Sequence, residues 1–421
     1  MKKAKDLPYN FGVKMQIYPS SVQKKIIDKN IDFARFYWNK LVWANKEIAK
    51  LRHVGFAWPW VDARIAWLQE IANPNARALK QVYPFLNDKD LDINALMQAK
   101  SNYTASWNLC KKVKSVQPPK FHKKSDFGSY QTSNSYNSKK CDRATLFNGS
   151  IRFFDGSHVN LPKIRCVHIA FSKKRYARLK EMCDLGGELR LTKATISRDA
   201  CGDYYVSFQI ASDMRINAAF AKTSSKIGID LNLENFLTDS NGNVVDNPRF
   251  YRQAKTQLAK AQRKLGKRCA RAKKEHRPLR NARNYQKQRK LVAKIQRRIL
   301  RRRNTFLNEL STTLIKNHDL VVAEELRSKN LLKNHALAMS ISDVGWRTFL
   351  SMLEYKAEWY DKKFVAVDPK YTTQTCSECG HVMKGEHKLT LKDRTWTCPS
   401  CGTFHIRDEN SAKNILTKAL A

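Results

Sequence analysis

The chain has 421 residues, 42% of them hydrophobic, and 79 Lys and Arg against 37 Asp and Glu give it a formal net charge of +42. This apolar content is enough for sizeable cores in two or three domains, which excludes a disordered or fibrous protein. Because such a charge repels itself, we expect a polyanionic partner, and nucleic acid fits best. No run approaches the ~18 consecutive apolar residues of a spanning helix, and no signal-peptide core is visible, so we expect a cytoplasmic protein with no membrane partner.

The first half of the chain is predicted to form one strand, a set of helices and then short strands. Residues 10–18 alternate like a strand, and a helical pattern that opens at Ser20 continues to about residue 115. From 116 the chain becomes basic and rich in turn residues, with Lys120 following two prolines. Short strands are then predicted at 151–154, 164–171, 188–196 and 204–211. Their close spacing is typical of a small barrel or sandwich.

The second half begins with a strand at 226–233 that carries Asp230 in its middle. A partner strand at 235–239 and a turn at 240–243 follow. Further apolar strands are predicted at 319–326, which ends on acids, and at 364–367.

The segment 251–303 between these strands is strongly cationic. It holds 22 Lys and Arg against the single acid Glu275, and apolar residues recur in it at helical spacing. The pattern predicts two helices with a break between Gly266 and Pro278. A charge run is usually a solvated face, but solvated faces mix signs, so a bias this strong favours nucleic-acid contact. The candidate contact residues are Lys264, Lys267, Arg268, Arg271, Lys287, Arg297, Arg298, Arg301 and Arg302, together with Lys120.

Four of the ten cysteines form two C-x-x-C pairs, Cys376 with Cys379 and Cys398 with Cys401, separated by eighteen residues. Two such knuckles make a closed tetrahedral thiolate site, which favours one structural Zn²⁺ over a redox or catalytic role. So short a ribbon buries little apolar surface, so zinc is expected to stabilise it. The other six cysteines occur singly and are expected to be ordinary reduced thiols.

Several acidic residues also occur next to apolar segments, where a simple solvent-exposed role does not explain them. Asp230 lies inside an apolar strand, Glu324 and Glu325 directly follow another, and Asp408 lies where a helix begins. Carboxylates gathered from separate elements repel each other unless cations lie between them, and two Mg²⁺ ions ~3.5–4 Å apart would fit such a cluster and act on a phosphodiester. The alternative for Asp408 is that it only caps its helix.

In combination, these motifs resemble the TnpB family of RNA-guided DNA endonucleases and the related miniature type V CRISPR nucleases. The stretches that carry the resemblance are 228–236, Glu324-Glu325-Leu326, 353–357, 371–376 and 407–416, with weaker matches at 18–19, 35–39, 118–120 and 161–163. Position by position, the resemblance implies that Asp230, Glu324 and Asp408 are the catalytic, magnesium-binding acids. Glu325 stands where relatives often have Asp, and Glu324 is the preferred candidate.

The resemblance also implies a fold and a division into domains. The fold is α+β and multidomain, with a helical recognition lobe, a small wedge β-barrel and an RNase H-like RuvC nuclease domain into which a zinc ribbon is inserted. The implied boundaries are 1–18 for the first wedge strand, 19–115 for the recognition domain, 116–224 for the wedge, 225–367 for the nuclease domain with a basic hairpin at 251–315, 368–404 for the ribbon and 405–421 for the last nuclease segment.

The implied function is RNA-guided cleavage of double-stranded DNA in the bacterial cytoplasm. Guide RNA pairing reads the target, the protein recognises a short flanking motif, and one site cuts the two strands in turn. Three alternatives stay open: a guided repressor that has lost cleavage, a transposase on a related fold, and a plain basic nucleic-acid binder. The three acids argue against the repressor. The order of acids and ribbon argues against the other two.

Overall fold

The computed structural model describes the chain except residues 1–5, 54–57, 74, 76, 126, 138, 140–144, 326–342 and 391, and gives only the backbone of residue 386. Leu326 of the acidic motif and the single cysteine Cys141 therefore lie outside the described residues. The chain divides into two compact units, Met1–Ile216 and Asn217–Ala421. Among the described helices, none is both long enough and apolar enough to span a membrane.

The first unit opens with a strand and a helical layer. Ser20 caps the long helix, because its hydroxyl accepts the backbone N–H of Gln23 while the Gln23 side chain accepts that of Ser20. Tyr37 and Leu41 of this helix pack with Leu68 and Leu96 of later helices in one apolar core. The elements are β1 (Tyr9–Tyr18), α1 (Ser21–Arg52), α2 (Pro59–Ile71), α3 (Arg77–Val82), a 3₁₀ turn (Pro84–Asn87) and α4 (Ile93–Lys112).

The same unit contains a seven-stranded antiparallel sheet. Its further elements are β2 (Gly128–Ser133), β3 (Arg152–Phe153), β4 (His158–Leu161), β5 (Arg165–Ala170), α5 (Lys173–Asp184), β6 (Leu189–Arg198) and β7 (Tyr204–Ser212). The strand order is β2-β6-β7-β1-β5-β4-β3. Alternate residues of β1 are buried, among them Val13, Met15 and Ile17, so one face of the sheet covers a core.

This sheet is a half-barrel, whereas the strand spacing predicted a small barrel or a sandwich. In the described strands β2 and β3 are the two edges of an open order. Next to β2, Asn134 accepts the backbone N–H of Ile151 at 2.8 Å and donates to the carbonyl of Leu191 at 3.1 Å.

The second unit is built on a five-stranded mixed sheet of order β10-β9-β8-β11-β12. Its strands are β8 (Lys226–Leu231), β9 (Asn235–Asp239), β10 (Val244–Asp246), β11 (Leu320–Glu324) and β12 (Lys363–Val367). β8 is antiparallel to β9 and parallel to β11, which is parallel to β12. The core on one face joins Ile227 and Ile229 of β8 to Phe349 and Leu353 of α8 (Trp346–Tyr360).

Two long helices, α6 (Phe250–Lys274) and α7 (Arg283–Asn317), form the predicted cationic hairpin. Leu258 and Ala261 of α6 pack against Val292, Ile295 and Ile299 of α7. The break between the two helices lies in the later part of the predicted interval. Helix α6 continues through Gly266 to Lys274, and the chain turns at 275–282, which includes a 3₁₀ turn (Leu279–Asn281). A single glycine costs a helix only about 1 kcal/mol, which the packed seam offsets, whereas Pro278 cannot continue it.

The remaining elements are a small ribbon and the last helix. A 3₁₀ turn (Gly385–His387) precedes the hairpin of β13 (Thr395–Thr397) and β14 (Phe404–Ile406), whose strands are antiparallel. Helix α9 (Arg407–Leu420) follows β14 directly and buries Ile415 against Leu320 and Val322 of β11. The chain therefore returns to the sheet through α9.

Candidate metal centres

Asp230 and Glu324 lie at the same edge of the five-stranded sheet. β8 and β11 are parallel, and their last paired residues are Ile229 and Ala323. The next residue on each strand is one of the two acids. The carboxyl ends of parallel neighbours meet at one edge, so the strand register brings these acids together although they are far apart in sequence.

Asp230 faces helix α9 because side chains alternate along β8. Ile227 and Ile229 point into the core, so Gly228 and Asp230 point to the other face. A Cβ on Gly228 would lie 2.1 Å from the carbonyl oxygen of Ala412, so only glycine lets α9 approach this closely. The approach puts the Ser411 hydroxyl 3.2 Å from Oδ1 of Asp230, to which it donates.

Asp408 reaches the same site from the first turn of α9. The N-cap of this helix is Ile406, and its side chain makes no capping hydrogen bond. Asp408 is thus not the cap residue, although a carboxylate in the first turn is favourable beside the helix dipole. Asn232, two residues after Asp230, donates from Nδ2 to Oδ2 of Asp408 at 3.2 Å. This hydrogen bond connects the end of β8 to the start of α9.

Two neighbouring glutamates differ in their surroundings. Glu324 is partly buried, and Oε1 accepts a hydrogen bond from the buried hydroxyl of Thr372. Glu325 is exposed, and its backbone N–H donates to the carbonyl of Val367 at 2.8 Å. Glu324 therefore has the environment of a site residue.

The electrostatics of the site favour binding of a cation. Burial, followed by the negative charges of Glu324 and Asp408, raises the pKa of Asp230 to about 7. Burial also raises the pKa of Glu324, against the hydrogen bond from Thr372 and the positive charge of Lys418. Carboxylates that disfavour each other's charge in this way gain stability from a divalent cation placed between them. Their oxygen ligands suit Mg²⁺, so the donor set fits that ion.

The ligand atoms of the three acids lie farther apart than those of the four cysteines. Within the described part of the chain, the four cysteine sulfurs form a group whose ligand atoms all lie within 4.8 Å of one another, and the three acids do not form such a group. Sγ of Cys376 is 3.7 Å from that of Cys401, and Sγ of Cys379 is 3.7 Å from that of Cys398. A tetrahedron with Zn–S bonds of ~2.3 Å requires sulfur separations of about 3.8 Å. The four thiols could therefore bind zinc.

Each cysteine knuckle is shaped by its backbone. Gly380 follows Cys379 with φ +75°, Gly402 follows Cys401 with φ +74°, and each donates its N–H to the carbonyl of the first cysteine of its pair. A left-handed residue is needed to close so tight a turn. Nε2 of His405 lies 3.1 Å from Sγ of Cys376. Such contacts from a neighbouring side chain orient a metal ligand.

The predicted cationic residues fall into two groups. Exposed residues are Lys120, Lys264, Lys267, Arg271, Lys287, Arg298, Arg301 and Arg302, and half-buried ones are Arg268 and Arg297. Arg268 donates to the carbonyl of Asn284 at 2.7 Å and so connects the two hairpin helices. Arg271 forms an ion pair with Glu275 at 2.9 Å. These two arginines therefore serve the hairpin itself.

The residues around the acids were not found from the sequence. Asn232, Thr372, Ser411 and Asn414 are common polar residues that no spacing rule selects. Ser411 is 181 positions from its partner Asp230. A weak signal existed for Asn232, because the predicted strand 226–233 places it on the same face as Asp230.

Three family models match the chain. They are described as "Cas12f1-like, TNB domain" over residues 346–415, "Probable transposase" (OrfB of IS605) over 209–335, and "Helix-turn-helix domain" (OrfB of IS605) over 9–53. In the structure, the third region forms β1 and the uninterrupted helix α1. The matched regions together define the class of IS605-type OrfB proteins and their Cas12f1-like relatives.

Relatives agree with this class. A Streptomyces pristinaespiralis protein is 39% identical over 231 residues, 55% of this chain and 53% of that protein, and an Escherichia coli protein is 29% identical over 237 residues, 53% and 55%. Both carry the name "putative RNA-guided DNA endonuclease". The matched part of the chain thus spans about half the length of these relatives. A Cas12f1 from Sulfoacidibacillus thermotolerans is 34% identical over 84 residues, 18% of this chain and 19% of that protein.

The fold has a counterpart among solved structures. Cas12f1, solved by cryo-EM in a complex with sgRNA and target DNA, matches with a TM-score of 0.52 at 14% identity, covering 97% of this chain and 98% of the other. The chain thus has an α+β fold similar to that of Cas12f1. The family models and the relatives agree on a resemblance to the TnpB family, which is related to Cas12f, so the expected resemblance is confirmed.

Proposed function

We propose that the chain is an RNA-guided DNA endonuclease that hydrolyses phosphodiester bonds at the Asp230–Glu324–Asp408 site. One observation carries this proposal: two parallel strand ends and one helix bring three acids together, and Asp230 is buried with its pKa raised to about 7. A buried acidic site that persists in a chain of net charge +42 is best explained by divalent cations. The names of the relatives support a nuclease.

We propose further that the five-stranded sheet is a RuvC nuclease domain of RNase H-like fold. In support, a three-stranded antiparallel meander is extended by two parallel strands, and the acids lie on the first and fourth strands and on a helix packed on the first. The zinc ribbon lies between the second and third acids in the sequence. The family model over 346–415 includes the ribbon and Asp408.

The three acids, with Asn232 orienting Asp408, would hold two Mg²⁺ ions. When bound, these ions supply a nucleophilic water and neutralise charge on the leaving oxygen. Without cations the carboxylates that remain charged would repel a phosphodiester, so we expect DNA to enter the site with its metals in place.

The rest of the chain is proposed to bind guide RNA and target DNA. The exposed cations of the α6–α7 hairpin would hold the guide–target duplex by its backbones, while pairing with the guide reads the sequence. Residues 19–115 would form the recognition domain, 1–18 and 116–224 the wedge, 225–367 and 405–421 the nuclease domain, and 368–404 the ribbon that handles target DNA beside the acids. The bacterial cytoplasm is the proposed location.

The test uses protein co-expressed with its native flanking locus. The RNA that copurifies is sequenced, and the complex is incubated with a matched plasmid with and without added Mg²⁺. We expect one discrete RNA and Mg²⁺-dependent cutting. The variants Asp230→Ala, Glu324→Gln and Asp408→Ala should lose cutting by at least about 10³-fold while keeping the RNA, because each removes a ligand of the site.

Glu325→Gln is the matched control, because it changes the neighbouring, exposed glutamate and should cut like the wild type. A discrete RNA with tight DNA binding but no cutting would indicate a repressor. Joined rather than hydrolysed DNA ends would indicate a transposase. Heterogeneous RNA without targeted cutting would leave only a basic nucleic-acid binder.

A further inference from the structure

The segment 368–377 between β12 and the first cysteine knuckle lies against helix α9. Thr372 is its most enclosed residue outside the zinc ligands, with 2% of its surface exposed. No chemical role in the ribbon explains this burial, since Thr372 is not a zinc ligand. Its hydroxyl lies beside the acid site instead.

The Thr372 hydroxyl has two acceptors within reach. One is Oε1 of Glu324, and the other is the carbonyl of Pro369 at 3.1 Å. A hydroxyl has one hydrogen, and a charged carboxylate is the stronger acceptor. The hydrogen therefore goes to Glu324, and it fixes one carboxylate oxygen while the other is left for a ligand.

Helix α9 holds Thr372 in place. Nδ2 of Asn414 donates to the carbonyl of Thr372 at 2.9 Å and to that of Thr375 at 2.6 Å. One turn earlier, Asn410 donates to the carbonyl of Thr375 at 2.8 Å, and one turn later, Lys418 donates to the carbonyl of Asp368 at 3.0 Å. Residues four apart lie on the same helix face, so one face of α9 binds the whole segment.

We propose that Thr372 and Asn414 are positioning residues that orient Glu324 for divalent-cation binding, an inference that rests on the proposed function of the acid site. Through them α9 contacts all three acids: it carries Asp408, it reaches Asp230 through Ser411, and it reaches Glu324 through Asn414 and Thr372. The α9 helix thus acts as the common template of the site.

The experiment titrates Mn²⁺ into the zinc-loaded, full-length protein and measures binding by calorimetry. Mn²⁺ is the probe because it prefers oxygen ligands and leaves the thiolate site to zinc. Thr372→Val keeps the shape of the side chain but removes the hydroxyl. We expect the dissociation constant for Mn²⁺ to rise by about 10–100-fold, the usual effect of losing a hydrogen bond to a metal ligand.

Two variants separate positioning from folding. Thr372→Ser keeps the hydroxyl and should bind Mn²⁺ like the wild type. Thr375→Val removes a hydroxyl of the same segment that donates to the carbonyl of Tyr371 at 2.8 Å and touches no acid, so it should also bind normally. Thr372→Ala removes the same hydroxyl without a second methyl group, and it serves if valine at 372 loses zinc or fails to fold.

The outcomes are distinct. Equal Mn²⁺ affinity in Thr372→Val and the wild type, or no Mn²⁺ binding by the wild type, would overturn the positioning role. The expected Mn²⁺ pattern in a protein that does not cut DNA would support the positioning role and overturn the proposed nuclease. Weakening by Thr375→Val equal to that by Thr372→Val would indicate a general effect of the segment and also overturn the inference.

Discussion

Asp230 is an ionisable residue in a buried and largely apolar position. It is 7% exposed, and it accepts a hydrogen bond from a serine hydroxyl rather than from a cationic side chain. Placing a charge there is unfavourable, so in the absence of metal the carboxyl group is protonated up to neutral pH. Asp230 therefore lowers the stability of the metal-free fold, and binding of a cation to its carboxylate would offset this loss.

Asp230→Asn should stabilise the metal-free protein, and more so at pH 8 than at pH 5. The pKa of about 7 in the folded state exceeds the ~3.9 of an unfolded aspartate, so the folded state binds more protons between these values. The free energy of unfolding of the wild type therefore falls as pH rises from about 4 to 7 and stays low above. Asparagine does not titrate. Thermal melts in buffer without Mg²⁺ should show a gain of roughly 5–10 °C for the variant at pH 8 and a smaller gain at pH 5.

Asp246→Asn is the control for this measurement, because it makes the same substitution at an exposed position on β10 of the same sheet and should change the melting temperature little. If the gain of Asp230→Asn is equal at both pH values, Asp230 is not protonated in the metal-free fold. Added Mg²⁺ should reverse the ranking, since only the aspartate binds it.

At the scale of elements, the α6–α7 hairpin has an apolar seam between its helices and cationic side chains on its surface. Its seam is apolar, and Gln288 on α7 is buried and donates to the carbonyl of Ala261 on α6 at 3.0 Å. Arg268 and Arg297 are half-buried, and Arg268 joins the two helices. The side chains of Lys264, Lys267, Lys287 and Arg298 are exposed, so they can be changed without unfolding the hairpin.

Replacing Lys264, Lys267, Lys287 and Arg298 with glutamine should weaken guide-RNA binding and its dependence on salt. Each lost phosphate contact lowers the slope of log K against log salt by about 0.7–0.9, so four contacts would lower it by roughly 3. The melting temperature should change little, because all four side chains are exposed. Binding of the copurifying RNA, measured over a range of salt concentrations, gives both the affinity and its dependence on salt.

The matched control exchanges Lys for Arg and Arg for Lys at the same four positions. This variant keeps the charge and should keep the slope. An unchanged slope in the glutamine variant would show that the hairpin does not contact phosphates.

At the scale of the whole second unit, the ribbon and the acid site share one anchor. Asn410 of α9 accepts the backbone N–H of Ser377 at 2.9 Å, inside the first knuckle, while Asp408 and Ser411 on the same helix belong to the acid site. A disordered knuckle would release the segment that carries Thr372. Zinc binding and the geometry of the acids are therefore expected to be linked.

Cys379→Ser should lower the zinc content from one ion per chain and reduce DNA cutting by about 10-fold or more, because the ribbon depends on its metal for folding and the acids lose their support. Zinc is measured by atomic absorption and cutting by the plasmid assay. Cys166→Ser, at an exposed single cysteine, should retain one zinc and full activity. Full cutting by a zinc-free Cys379→Ser protein would show that the two sites are independent.

The amino-acid sequence by itself determined the features that depend on local spacing. Two C-x-x-C pairs make a four-sulfur site, helical periodicity marks α6 and α7, and apolar strands that carry Asp230 and Glu324 mark β8 and β11. These patterns act over a few residues, so they can be read without knowing the fold.

The tertiary structure alone decided how distant residues meet. It separated Glu324 from the exposed Glu325, it left the first sheet open, and through Gly228 it brought α9 close enough for Ser411 to reach Asp230. The polar partners Asn232, Thr372 and Asn414 are recognised only by what they contact. Such contacts depend on strand register and helix docking between residues 42 to 176 positions apart, and no local pattern encodes them.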